Sequence, residues 1–282
     1  MAKKSDVHFY KNKRQNSLVV RRRRKLMITG VLILIIFVTT ILGLSWFLSQ
    51  PFIVINNLVV SGNLLIATDD ILAVTKKIIT DSYFGLFAKS NIFFYPSKTI
   101  KKTLAATFPA IKNIHGNLEN WQTLKLSVEE RTPFGLWCQS VDTTACFYLD
   151  DNGLIFSSAA VFSDNIFLKF TGGEINASSS PLGKNFLPSD EFRRVSFFLD
   201  SLVPFGLIPI VFEANPNEYR IYSKNGGWLI INTADDLSQV LENLETIFRS
   251  DNFKKALARS GVIDYIDLRY GNKVFYKFKN GD

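Results

Sequence analysis

The sequence predicts an α+β protein with a single N-terminal transmembrane helix, then a βααββ domain and a mostly antiparallel β domain with flanking helices. Three observations carry this. A charge-free apolar run of 23 residues follows a basic N-terminus. Helical periodicity and strand alternation then succeed one another in the order strand, helix, helix, strand, strand. Beyond Pro133, short strand-like runs between Asp/Asn/Gly turn signals take over, with two helical stripes among them.

The apolar run, Leu26 to Leu48, spans about 34 Å as a helix at 1.5 Å per residue, enough to cross a bilayer. It has no polar face, which argues against a core helix of a soluble domain. It is too long for the apolar region of a cleaved signal, and no A-x-A-like site follows it. Residues 1–25 hold ten Lys/Arg and one acid, whereas the next basic residue after the run is Lys76. That asymmetry predicts a cytoplasmic tail over 1–25, a membrane helix over 26–48 and an exported remainder. The formal charge of +8 is therefore misleading: residues 26–282 carry 23 basic and 24 acidic side chains. Arg21 to Lys25 is the dense cationic cluster, and its place beside the membrane segment argues against nucleic acid.

In the first exported domain, over 52–130, a strand is expected from Phe52 to the turn signal Ser61-Gly62-Asn63. Thr68-Asp69-Asp70 caps a helix with Ile71, Val74 and Ile78 on one face. Phe93 to Ser97 interrupts, Ile100, Leu104 and Phe108 trace a second helix, and Pro109 ends it. Strands over Ile111–Leu118 and Trp121–Glu130 are expected around a Glu119-Asn120 turn. The second domain, 131–282, is expected to have turns at Asp151-Asn152-Gly153 and Asn225-Gly226-Gly227. Helices are expected over Asp190–Leu202 and Asp235–Arg249, then a short helical turn over Phe253–Ala258. Strands over Val262–Tyr270 and Lys273–Phe278 follow. The stretch from Ala177 to Pro181 reads as linker-like.

The sequence carries no convergent catalytic set. His115 is the one exported histidine, on a predicted strand without a Cys or His at ligand spacing. Asp150-Asp151-Asn152-Gly153 lacks the longer ligand ladder of a calcium loop and reads as a hairpin turn. Glu129 and Glu130 are adjacent on a strand and point to opposite faces. Phosphate-binding loops and serine-nucleophile motifs are absent from the sequence. No cofactor, metal or small-molecule substrate is therefore expected. Cys138 and Cys146 flank a polar segment at facing positions of one hairpin in the exported part, where a disulfide is expected over two free thiols. Twenty-five Phe, nine Tyr and four Trp are read mainly as core. The exceptions are Phe197-Phe198 and Phe275-Tyr276-Lys277-Phe278, whose neighbouring aromatics cannot all face one core.

Taken in order, these segments resemble the FtsQ/DivIB family of bacterial division proteins. The matching motifs are Ile55-x-x-Leu58-x-Val60-x-Gly62, Asn91-Ile92-Phe93-Phe94 and Phe108-Pro109-x-Ile111. They continue with Leu124-x-Leu126-x-Val128-Glu129-Glu130-Arg131-x-Pro133, Leu136-Trp137, Leu149-Asp150-x-x-Gly153 and Tyr265-Ile266-Asp267-Leu268-Arg269-Tyr270. Trp121 is followed by Gln122 where the family often has proline, and the cysteine pair is not a general family feature. The resemblance implies that the first domain is a polypeptide-transport-associated (POTRA) domain and the second an FtsQ-type β domain. It further implies a non-enzymatic scaffold at the division septum, binding FtsB/DivIC-like and FtsL-like bitopic partners and linking them to septal peptidoglycan synthesis. Two other classes remain as alternatives: a membrane-tethered cell-wall enzyme, which would need a convergent catalytic cluster, and a POTRA transport protein, which would need a barrel the chain has no room for.

The last strand, Lys273 to Phe278, has no later strand to cover it. Edge logic leaves two readings open: Lys273, Lys277 and Lys279 guard against promiscuous pairing, or the edge receives a partner strand. The resemblance chooses the second, and implies a partner-binding site at Tyr270, Lys273, Val274, Phe275 and Tyr276.

Overall fold

The computed structural model describes residues 6–140, 143, 145–161, 166–173, 175 and 180–279, with side chains from Val20 onward. The start of the basic tail, most of the linker-like stretch before Pro181 and part of the segment between the cysteines lie outside the described residues. The chain forms two compact units: residues 1–61, 68–100 and 115–126, and residues 62–67, 101–114 and 127–282.

Helix α1 (Asp6–Leu48) is continuous through the basic cluster, and its part long and apolar enough to cross a membrane is Val20–Leu48. Every side chain from Val20 to Thr40 is exposed, so the protein itself does not bury this apolar surface. The chain then passes a 3-10 turn at Pro51–Ile53 into strand β1, which covers only Asn57–Ser61 instead of starting at Phe52. Pro51 has no N–H for a ladder, and the next residues bond elsewhere. Ile92 N donates to Ile53 O at 3.1 Å and Ile55 N to Ser90 O at 2.8 Å.

Helix α2 (Thr68–Ile79) buries Ile71, Thr75 and Ile79 on one stripe. A small hairpin of β2 (Ser82–Tyr83) and β3 (Phe87–Ala88) follows, too short to leave a periodic signal. Helix α3 (Ser97–Thr107) buries Ile100 and Leu104. Strands β4 (Ile111–Asn120) and β5 (Thr123–Glu130) turn at Trp121-Gln122, two residues later than expected. The Asn120 side chain explains the shift: its Oδ1 accepts Gln122 N at 3.0 Å, a local Asx-type turn. These strands form a three-stranded sheet in the order β1-β5-β4. Gly62 ends β1 at φ +86°, where an added Cβ would stand 2.3 Å from Val128 O, so this position requires glycine.

The rest of the chain builds a nine-stranded sheet. Its elements are β6 (Gly135–Cys138), β7 (Cys146–Leu149), β8 (Ile155–Ser158), β9 (Lys169–Gly172), α4 (Ser189–Leu202), β10 (Pro209–Ala214), β11 (Glu218–Ser223), β12 (Trp228–Asn232), α5 (Leu237–Arg249), α6 (Asp251–Ser260), β13 (Ile263–Tyr270) and β14 (Lys273–Phe278). Strand order is β14-β13-β12-β11-β10-β9-β6-β7-β8, mostly antiparallel. The parallel pairs are β6–β9, β9–β10 and β12–β13. A parallel neighbour needs a crossover connection, and two of these crossovers are α4 and the α5–α6 pair. Both bring apolar stripes to one core: Phe192, Val195, Phe198, Leu199 and Leu202 from α4, Val240 and Leu244 from α5, and Phe253 from α6.

Part of the phenylalanine content is explained here. Phe170 lies at the centre of a ring cluster with Phe192 at 5.2 Å, Phe186 at 5.5 Å and Phe212 at 5.8 Å between centroids. Of the pair inside α4, Phe198 is buried and Phe197 exposed. The short turn expected at Phe253–Ala258 is a ten-residue helix, because Ser250 caps its start and Gly261 its end. Helix α5 begins two residues later than expected because Asp236 is its N-cap, accepting Ser238 N at 2.9 Å.

Candidate functional site

The C-terminal hairpin brings the expected site residues together on one sheet edge. Strand β13 pairs antiparallel with β14 in a register that sets Ile266 opposite Tyr276, Asp267 opposite Phe275 and Tyr270 opposite Lys273. The turn uses Gly271 at φ +64°, and Asn243 of α5 holds it by donating its amide to Gly271 O at 2.9 Å. One flank of β14 is bonded to β13; among the described residues no strand lies on the other. Its six residues offer about 20 Å of unpaired backbone.

Alternation splits the five residues between two faces. Val274 packs on the main core, and Tyr276 leans on Phe253 with ring centroids 4.9 Å apart. On the other face Phe275 is 52% exposed and Tyr270 55% exposed, their rings meeting edge to face at 5.1 Å. Lys273 is exposed at the start of the strand, while Lys277 pairs with Asp264 at 3.6 Å. The same face continues inward with Tyr265 against Trp228 at 5.7 Å, and the Arg220 guanidinium lies 5.9 Å from the Trp228 ring. An exposed aromatic pair across the terminal hairpin thus sits beside an ordered cation–aromatic stripe.

Arg269 braces this edge. Its Nη2 and Nε donate to the two Asp267 oxygens at 2.7 and 3.0 Å, and its Nη1 donates to Glu218 of β11 at 2.8 Å. Its backbone carbonyl accepts the Asn232 amide at 3.0 Å. Burial pushes the Asp267 carboxyl up, but the Arg269 side-chain and backbone hydrogen bonds and the guanidinium charge outweigh it, so it titrates below its ordinary value of 3.8. The Asp267-Leu268-Arg269 spacing was visible in the sequence as two same-face residues on a strand. The Glu218 partner, 51 residues away, was not.

Two further arrangements escaped sequence reasoning although their residues lie in the quoted motifs. Arg131 forms an ion pair with the buried Asp150, and its Nε donates to Pro109 O at 3.0 Å. The other Asp150 oxygen accepts Asn152 N and Leu154 N, each at 2.9 Å. Asp150 is therefore more than a turn residue: it ties the Arg131 junction to the β7–β8 turn. Glu130 accepts the backbone N–H groups of Leu64, Leu65 and Ile66 at 2.8–3.1 Å, clamping the loop before α2. Its neighbour Glu129 instead accepts from Asn113 at 2.7 Å, so the two carboxylates point apart.

Cys138 and Cys146 are opposite each other in the β6–β7 register and joined as a disulfide, with Cα atoms 4.4 Å apart. His115 is exposed on β4. Compared with known proteins, the chain matches no family model and no curated protein sequence.

Proposed function

We propose that this chain is a membrane-anchored, non-enzymatic scaffold of the FtsQ/DivIB type, whose β domain receives an extended segment of an FtsB/DivIC-like partner on the open flank of β14. The observation that supports it is that flank, open among the described residues and bordered by the exposed Tyr270–Phe275 pair. An incoming strand gains main-chain hydrogen bonds along β14, and alternate side chains meet the aromatic pair. Lys273 favours an acidic segment and discourages a second copy of the same basic strand. On this reading α1 is the single anchor, the basic tail faces the cytoplasm and residues 52–130 form a POTRA domain. An FtsL-like protein joins the same complex, which links to septal peptidoglycan synthesis.

The test is a pull-down with the extracytoplasmic segment of the FtsB-like protein from the same cell. Phe275→Pro, with folding verified by thermal melting, is expected to lose binding, whereas charge reversal at Lys101 and Lys102 on α3 keeps it. The opposite ranking would exclude β14 as the docking site.

A further inference from the structure

The outer end of α1 is held into its own compact unit. Asn91, 1% exposed, donates its amide to Leu48 O at 2.7 Å, and Ser45 Oγ donates to Leu86 O in the β2–β3 hairpin. From Val20 to Leu48 the only side chains not fully exposed are Ile41, Ser45 and Leu48, spaced i, i+4, i+7 on one helix face. The hairpin side of the unit therefore lies alongside the last two turns of the apolar helix instead of beyond its end. Ser45 is three residues inward of Leu48, about 4.5 Å along the axis, and Leu86 is level with it.

The tip of this hairpin is unusual for a loop in water. Leu86 N donates to Tyr83 O at 3.0 Å, closing a turn whose central residues, Phe84 and Gly85, both have positive φ, +53° and +70°. Asn or Gly ordinarily fills the first of these positions, and a bulky side chain there is strained. Phe84 is also 95% exposed, so no packing within the chain accounts for it. A second turn lies by the chain just past the end of α1. Gln122 donates its side-chain amide to Pro51 O at 3.1 Å, which places the neighbouring Trp121, 66% exposed, beside the chain leaving α1.

From this geometry we infer that the base of the unit is a second membrane contact: Phe84 and Trp121 enter the outer interfacial zone of the phospholipid bilayer that α1 crosses. The inference rests on α1 being the anchor. Aromatic rings are favoured at that depth, where an apolar body and hydrated headgroups meet. The lipid supplies the apolar environment that the protein withholds from Phe84. The contact also fixes the tilt of the unit against the bilayer, because two tips and a helix define a plane.

The experiment places p-benzoylphenylalanine, a photoreactive phenylalanine analogue, at positions 37, 84 or 115 of the full chain in phosphatidylethanolamine/phosphatidylglycerol vesicles, and measures lipid adducts by mass spectrometry. Position 37 reports the anchor. Position 115 is exposed on β4, six residues and about 20 Å of strand from Trp121 in the turn. Adducts are expected at 37 and 84, with position 84 exceeding 115 by at least about tenfold, a ratio within what burial of one aromatic ring supports. Adducts at 37 with none at 84, or equal yields at 84 and 115, overturn the inference and leave the anchor standing. Absence of adducts at 37 overturns both. Phe84→Asn, which suits the turn, is expected to keep the fold while raising the accessibility of this hairpin to added protease.

Discussion

At one end of the nine-stranded sheet, β8 is four residues long and the chain itself closes the outer flank at its first residue and the turn before it. Ile155 N donates to Lys184 O at 2.9 Å, Gly183 N to Ile155 O at 2.8 Å, and Phe186 N to Gly153 O at 2.8 Å. At the other end, β14 is six residues long and, among the described residues, carries no strand on its outer flank. The closed edge is further secured by the Cys138–Cys146 disulfide and the Arg131–Asp150 pair; the open edge is braced from behind by Arg269 and Asn243. An unpaired edge is a hazard that folded proteins ordinarily cover. Among the described residues, the start of one edge is covered and the other is braced but carries no strand. Such an arrangement suits a surface kept ready for a specific strand, and it leads the functional proposal.

The sharpest way to break the comparison is to place proline in each edge. At Phe275, proline removes a donor from the open flank or its ladder, and the loss of two or more hydrogen bonds of about 0.5–1.5 kcal/mol each lowers partner affinity at least about tenfold. At Ser157 in β8, proline is expected to lower the melting temperature while leaving affinity unchanged. Titration calorimetry with the partner segment and thermal melts read both.

Next in size is the buried ion pair behind the closed edge. Arg131→Ala leaves the Asp150 carboxylate without its cation, and a destabilisation of about 3–5 kcal/mol is expected in urea unfolding. Cys138→Ser with Cys146→Ser releases a loop of sequence separation 8 and is expected to cost about 2–3 kcal/mol, without effect on binding at the open edge. If either change weakens the partner complex under conditions where the protein stays folded, the two edges are not independent.

The smallest effect concerns the brace. Because the Asp267 carboxyl is held below its ordinary value of 3.8, it contributes stability that is fully present above that pH and lost as pH falls through its folded value. Asp267→Asn is expected to remove about 1.5–3 kcal/mol at neutral pH and to flatten part of the acid limb of the stability profile below about pH 4. Unchanged acid dependence in the variant would show that other carboxylates carry that limb.

How much of this was legible depended on how local the cause is. The apolar run in α1, the stripe of α5 and the β13–β14 hairpin around Gly271 are set by neighbours in sequence, and periodicity reads them well. The parallel pairs β6–β9, β9–β10 and β12–β13 depend on crossovers, about which alternation says nothing. Closure of β8 by residues 183–186 is a non-local backbone contact between segments without a pattern. At the candidate site β14 reads as a strand from its alternation, and among the described residues no strand flanks its outer side. The division of its residues, with Tyr270 and Phe275 outward and Val274 and Tyr276 toward the core, needed the bulged register of the hairpin. The Arg131–Asp150 and Arg269–Glu218 pairs join residues 19 and 51 positions apart, where spacing gives no signal.

Hydrogen exchange on the full chain, with and without the FtsB-like extracytoplasmic segment, tests the claim that one edge is closed and the other waits for a strand. The account predicts that amides of residues 273–278 gain protection on binding while those of 155–158 are unchanged. Protection confined to β8, or to the helices α4–α6 with β14 unaffected, would contradict it.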